Sequence, residues 1–583
     1  MKNFKTQYII PPMKKQFILT AFLSFLILGS CSNETYDFLV TSYDPDSINI
    51  DTVVSANEAE DYPHLTQTTD KEWLVLFYIC ADYYRKYISY PNHPNDSRYY
   101  QMAQIGRGLK KIRLADGKTP KSAFANVTSA GLWDGYNKDE KLNTYLPYTY
   151  LFEFKYPEQT YTADIAKSYK NFTIDYTKEI TESENDWLNG KQEANSADVN
   201  TLKNFLTWAL QKYNSDNSKE VVLILAGDGG GSFGEEIGSY IPPSRALCKD
   251  ASSDSYYLTA KEITEALSAN GFSSLNKLPL LILDGSFSSS LEDAFEYKDT
   301  ILSLVASPSE VPYAAIDFNY LLQCFTKKAT PYSIGTSLVN IYANKNYGSN
   351  AETDKGTSSL SYIDLTQIDE LANRVNIFAD HILTCKNQKD IDYKYSVFEC
   401  LTNEDFGFLN YDDEALNYIT DSAMFYKAEY MHEVENIYYP DTTNIFHGYF
   451  YQFDLGYLAF GIYKSVSTKQ GLDTIYYSCD EINKALKKAI VSTWRNGTGS
   501  KKGLYTALDS DFRFGLTITG PARTVNGDDN NYLQPYNFSD FSFKNYKETG
   551  KESAANWNEL LRTVFPEQFI ENTYPHYKNS SSS

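Results

Sequence analysis

Cysteine is scarce in this chain. It has seven among 583 residues, and no two stand as Cys-x-x-Cys. Zinc ribbons and thioredoxin-like redox centres need that spacing, so neither reading has support. Histidine is scarcer, with six, which leaves few imidazoles for base catalysis or metal ligation. Positive charge is short as well: Lys and Arg number 53 against 75 Asp and Glu, a formal net charge of −22. Such a surface repels phosphate backbones and excludes nucleic acid as a natural partner. Cationic peptides or metal ions suit it better. Apolar runs long enough to span a bilayer are missing too, and there are no internal repeats or long low-complexity tracts. Aromatic residues are abundant, at 15 % with 50 Tyr and 33 Phe. Tyr at that density fits exposed contact surface, where the ring packs and the hydroxyl stays wet. It equally fits a β-rich protein with Tyr in its strands.

The N-terminus reads as a targeting segment. Lys14 and Lys15 precede a largely apolar run, Phe17 to Leu28, of 12 residues. That length suits a signal-peptide core. The run ends in Leu28-Gly-Ser-Cys31, which resembles a bacterial lipobox, with Cys31 as the lipidated first residue of the mature chain. Residues 1–30 carry four lysines and no acids, so a chain without them has a formal charge of about −26. Glu34 and Asp37 follow closely. Acids there resemble export signals of surface-displayed lipoproteins, or form an acidic tether facing the periplasm. Expected from this is a lipid-anchored cell-envelope protein, at the outer membrane and exposed on the surface. The domain plan is a signal peptide over 1–31, a polar tether over 32–70, a core over 71–345 and a C-terminal region over 346–583.

Trp73 to Ala81 is a continuous apolar run, the pattern of a strand covered on both faces. Ser196 to Tyr213 has Leu202, Phe205, Leu206, Ala209 and Leu210 at helical spacing, with Ser196 or Asp198 as cap. Val221 to Leu225 and Leu278 to Leu283 are further buried-type strands. Between them, Thr259 to Leu267 is a helix whose Thr259 and Glu262 form a capping-box pattern. Strands alternating with helices predict an α/β fold with a mainly parallel sheet flanked by helices. In such sheets sites form beyond the carboxyl ends of the strands.

Two segments leave such ends through Gly/Ser-rich exits. One is Val221-Val-Leu-Ile-Leu-Ala-Gly227-Asp228-Gly229-Gly230-Gly231-Ser232. The other is Leu280-Leu-Ile-Leu-Asp284-Gly-Ser286-Phe-Ser-Ser-Ser-Leu-Glu292. They resemble the two active-site segments of the clostripain family of cysteine peptidases. Trp73 to Asp82, the helices before each segment, Val305-Ala-Ser307-Pro-Ser-Glu310, Leu360 to Leu365, and Gly515 to Pro521 with Tyr532, Tyr536 and Trp557 extend the resemblance over most of residues 71–570. Arg85 to Glu193 is its most diverged part. The resemblance implies a caspase-like sheet with a C-terminal α+β extension. It implies cleavage after Arg or Lys in active members, a catalytic His at position 228 and a nucleophilic Cys at position 286. An Asp two residues before the nucleophile holds the basic side chain, and Asp284 stands there. Calcium dependence or self-cleavage occurs in some members.

Here Asp228 and Ser286 replace that dyad. A Cys nucleophile ionises near neutral pH, whereas a serine hydroxyl needs a well-placed base. An aspartate, with a reference pKa of about 3.9, cannot take that proton efficiently. No His lies near either segment in sequence, His93 and His381 being the nearest on each side. The expected function is therefore a non-catalytic peptidase homologue that binds peptide or protein, including Arg- or Lys-containing chains. The alternative is an active endopeptidase with a rebuilt site, for which His447 with Cys400 or Ser286 is the best remaining combination. Asp284 either lines a retained pocket for a basic side chain or hydrogen-bonds the strand exit. Gly229 and Gly230 suit an oxyanion loop. The match of Gly229 to Gly234 with a dinucleotide fingerprint fails, because Pro242 and Pro243 oppose the helix that should follow. Asp228, Glu235, Glu236, Asp250 and Asp254 form a loose acidic set that matches no EF-hand loop. It reads as a solvated loop, and calcium rests on the family resemblance alone. No other cofactor or metal is expected.

Overall fold

The computed structural model describes residues 59–68, 71–81, 97–114, 119–139, 144–153, 193–227, 229–231, 246–248, 250, 258–308, 316–348, 359–385, 425–429, 447–466, 473–495, 513–526, 529–533, 542–546 and 556–564. The signal segment with Cys31, and most of the tether, lie outside them. In chain order the strands and helices are β1 (Glu72–Cys80), α1 (Ser97–Ile112), β2 (Val127–Asp139), β3 (Thr144–Glu153), α2 (Val199–Tyr213), β4 (Lys219–Ala226), β5 (Gly229–Gly231), β6 (Ala246–Leu247), α3 (Ala260–Ala269), β7 (Leu280–Asp284), α4 (Leu291–Tyr297) and β8 (Ser303–Ala306). There follow α5 (Phe318–Gln323), α6 (Pro331–Gly348), β9 (Ser359–Asp364), α7 (Ile368–Cys385), β10 (Phe425–Glu429), β11 (His447–Asp454), α8 (Leu455–Val466), α9 (Asp473–Ala489), β12 (Ile490–Arg495), β13 (Thr517–Asn526), β14 (Asp529–Leu533) and α10 (Trp557–Val564).

Eight strands form one sheet in the order β12-β9-β8-β7-β4-β1-β2-β3. The five strands from β2 to β8 run parallel. Strands β3 and β9 run against their neighbours, and β12 runs against β9. This is the expected α/β architecture with a mainly parallel sheet. The continuous apolar runs have a direct cause: side chains alternate between two covered faces. In β1, Leu74, Leu76, Tyr78 and Cys80 enter the core under α2, α3, α7 and α9. Trp73, Val75, Phe77 and Ile79 enter the opposite core under α1, α5 and α6. Helix α2 buries Leu202, Phe205, Leu206 and Ala209. Burying each large side chain contributes roughly 1.5–3 kcal/mol. Asp198, rather than Ser196, caps α2 by accepting from Asn200 N at 2.8 Å. The Thr259–Glu262 capping box is present as expected.

Two features depart from a plain linear plan. Residues 59–66 fall in the stretch read as tether, yet Leu65 and Tyr62 are buried. Tyr332 N donates to Leu65 O at 3.0 Å, and His64 Nε2 shares a 2.9 Å hydrogen bond with buried Asp364 Oδ2. Apolar Leu65 and Tyr62 are what hold this end down. Second, the C-terminal region is woven into the core: β9 and β12 are strands of the main sheet, and α7 and α9 share the core of α2 and α3. Only β10, β11, β13 and β14 make a separate antiparallel sheet, in the order β10-β11-β13-β14. Among the described residues, no helix is long and apolar enough to cross a membrane.

Candidate active site

Strands β4 and β7 are neighbours, with Ala226 opposite Asp284. Gly227 N donates to the Asp284 carbonyl at 3.2 Å. Both strands thus end at one level, and positions 228 and 286 follow exits about 4.8 Å apart. Asp228 itself lies outside the described residues. Gly229–Gly231 form β5, which pairs with Ala246–Leu247 as a small antiparallel ribbon beside the β4 exit. Sequence reading took this stretch as a loop. Three glycines carry no strand propensity, so the pairing was not legible there.

Ser286 occupies a tight turn and is 9 % exposed. The next residue, Phe287, has φ of 56°, a left-handed conformation that is costly for a side chain of this size. A ladder of polar contacts holds the turn. Ser288 Oγ donates to Gly285 O at 2.8 Å and accepts from Ser307 N. Ser289 N donates to Ser307 O at 2.9 Å, and Ser289 Oγ donates to Gly515 O at 3.0 Å. The Ser289 carbonyl accepts from both Thr517 N and Thr517 Oγ1 at 2.9 Å. Gly515 N in turn donates to Asp454 Oδ2 at 2.7 Å. The serine run after Ser286 is therefore structural: it ties the turn to β8 and to the start of β13. Ser290 caps α4 through Asp293 N, and Glu292 on α4 is fully buried.

Asp284 is 6 % exposed, and its Oδ1 accepts from Ile316 N at 3.2 Å. At least one carboxylate oxygen is thus spent on holding the chain that enters α5. Asp250 departs from the reading of a solvated acidic loop. It is buried, and its Oδ2 accepts from Ser196 N at 2.9 Å. Its four companions in that set lie outside the described residues. Among the described residues, no group of three or more His, Cys, Asp or Glu is placed to hold a metal ion.

Behind the exits of β1, β2 and β4 sits a buried polar cluster that the sequence did not announce. Asp134 Oδ1 accepts from Thr149 Oγ1 at 2.6 Å, and Tyr78 Oη donates to Ser196 O at 2.8 Å. Burial, followed by the nearby acidic groups, pushes the Tyr78 hydroxyl well above its ordinary value. The partners come from distant parts of the chain, so no local spacing could have revealed the cluster.

The imidazoles lie elsewhere. His64 is bound to Asp364, which ends β9 opposite the first residue of β8 and so lies at the opposite end of the strands from Ser286. His381 Nδ1 shares a 2.6 Å hydrogen bond with Ser478 Oγ. His447 begins β11, seven residues before Asp454. At about 3.3 Å per residue this places it roughly 23 Å along the strand from the end that meets the Ser286 turn. His447 is thus not brought to Ser286, and Cys400 lies outside the described residues.

The clostripain family model matches residues 174–549, well over half of the chain. The chain belongs to the clostripain family. The match begins after β1, α1, β2 and β3, so part of the main sheet lies before it. Similar solved structures include a secreted C11 cysteine protease from Bacteroides thetaiotaomicron in complex with an irreversible peptide inhibitor. It is 13 % identical, covers 79 % of this chain and 94 % of its own, and has a TM-score of 0.39. Another is an inactive zymogen C11 protease from Parabacteroides distasonis. It is 14 % identical, covers 78 % of this chain and 92 % of its own, with a TM-score of 0.36. No curated protein matches the chain.

Proposed function

We propose that this clostripain-family protein is a non-catalytic homologue that binds peptide or protein segments without cleaving them. The observation that carries this reading is the pair at the two exits: Asp228 after β4 and Ser286 after β7, on adjacent strands of one sheet. A serine hydroxyl there needs a strong base, and a carboxylate is a poor one. His64 and His381 are hydrogen-bonded elsewhere, and His447 stands at the far end of β11. The turn around Ser286 is nonetheless held by the hydrogen bonds of Ser288 and Ser289, which supports retention of its shape for a purpose other than turnover.

The ligand class is a basic peptide. The strongly negative chain favours it, and Asp284 sits at the position where family members hold Arg or Lys. The protein is further proposed to be anchored by lipid on Cys31 at the cell surface. Replacing Cys31 with Ser then moves it from the membrane to the soluble fraction.

Binding is tested with a fluorescent Arg-containing peptide and its Ala counterpart. The expected result is preferential binding of the Arg peptide that weakens several-fold on raising salt from 0.05 to 0.5 M, as screened charge pairs do. Asp284→Asn should reduce that preference while still accepting from Ile316 N. Equal binding of both peptides by both forms contradicts the pocket.

A further inference from the structure

Two thiols meet at the wall of this site. Cys80 ends β1 and Cys248 directly follows β6, 168 positions later in the chain. They are 1 % and 0 % exposed, and both are reduced in the structure. Gly227, the last residue before position 228, is wedged between them. A Cβ added at Gly227 would lie 3.1 Å from Cys80 Cβ and 3.1 Å from Cys248 Cα. Cys80 Cβ and Cys248 Cα therefore lie at most about 6 Å apart, which makes the two cysteines neighbours across Gly227. Cys248 also holds φ at 63°, a left-handed conformation that is unfavourable for a non-glycine residue. Such an outlier persists only where its surroundings fix it. This left-handed residue lies beside Gly227, the chain that leaves β4.

We propose that Cys80 and Cys248 are a disulfide-forming pair that pins the β5–β6 ribbon, and with it the exit toward position 228, to the end of β1. The oxidant is a disulfide of the glutathione or oxidoreductase class. One cysteine thiolate attacks a sulfur of that disulfide, breaking its S–S bond and releasing one thiol. The second cysteine thiolate then attacks the mixed disulfide and releases the other. Two S–H bonds and one S–S bond are lost from the reactants. One protein S–S bond and two oxidant thiols are formed, so the two electrons and two protons pass to the oxidant.

Timing follows from the burial. Desolvation, then the neighbouring Cys248, pushes the Cys80 thiol well above its ordinary value. In the folded chain the attacking thiolate is scarce, and small reagents do not reach it. The bridge thus forms while the chain folds, and once formed it is shielded from reductants. The site would acquire a rigid wall, which suits a surface meant to hold a ligand.

The test is to unfold and reduce the purified chain and refold it in a glutathione redox buffer. It is then denatured, alkylated with iodoacetamide and digested. The expected result is a linked peptide pair containing Cys80 and Cys248, neither residue being alkylated, and an apparent melting temperature several degrees above that of protein refolded with excess reductant. Cys80→Ser and Cys248→Ser should each lack the linked pair and melt at one temperature in both buffers. Should either variant fail to refold, the peptide map of the unmutated chain decides alone. Full alkylation of both cysteines after oxidative refolding overturns the proposal, as does a link from either one to a different cysteine.

Discussion

At Gly515 a methyl group would sit 2.3 Å from Ser361 Oγ and 2.4 Å from Thr493 Oγ1, and φ is +116°. The residue lies where β9, β12 and the Ser289 loop converge, and only the absence of a side chain lets its backbone serve Asp454 and Ser289 together. Gly515→Ala is expected to lower stability by about 2–4 kcal/mol, from overpacking and an unfavourable φ. A shift of the urea midpoint with unchanged m-value would measure it. Cysteine gives a second residue-scale expectation. Burial pushes the Cys324 thiol from 9.0 up to about 12, and Cys479 is raised for the same main reason. The unfolded chain ionises these thiols first. Their contribution to stability is therefore complete below about pH 8.5 and is lost progressively as pH climbs toward 12, at up to about 1.4 kcal/mol per unit per thiol. Unfolding curves between pH 8 and 11 check the slope. Native-state alkylation at pH 8 should leave both residues unlabelled until the chain unfolds.

At the scale of elements, what could be read early was what local pattern controls. Trp73 to Ala81 had to be a doubly covered strand because no residue in it tolerates water, and β1 is buried from its second residue onward. Helix α3 was marked by Thr259 and Glu262, three residues apart, and both halves of that box form. The weave of β9 and β12 into the main sheet was hidden, because strand order depends on contacts between distant segments and leaves no local trace. The Ser286 turn was half legible. Its place after β7 was plain, but Ser288 and Ser289 gave no hint that they would bind Ser307, Gly515 and Thr517. Because β4 and β7 are adjacent and end together, the exits toward Asp228 and Ser286 are neighbours, and the proposed function treats the two positions as one site. Asp228→His with Ser286→Cys in one chain should therefore yield cleavage after Arg or Lys, while either change alone should not. A peptide assay on the three variants checks this, with a signal from the pair alone as the expected outcome.

At the scale of the molecule, the described residues form an acidic α/β body in which strands and helices of the N- and C-terminal halves share one sheet and the core under α2, α3, α7 and α9. Its sign of charge was evident from composition. Its commitment of Asp250 to an internal hydrogen bond was not, since a carboxylate in a polar segment carries no mark of burial. On the proposed reading the turn carrying Ser286 is firmly held, while Asp228 and Ser286 are ill suited to hydrolysis. The most direct measurement is turnover of Arg- and Lys-containing peptides by the purified chain, with and without calcium, beside Ser286→Ala. The account predicts no cleavage by either protein under either condition. Cleavage by the unaltered chain that disappears in Ser286→Ala would contradict it.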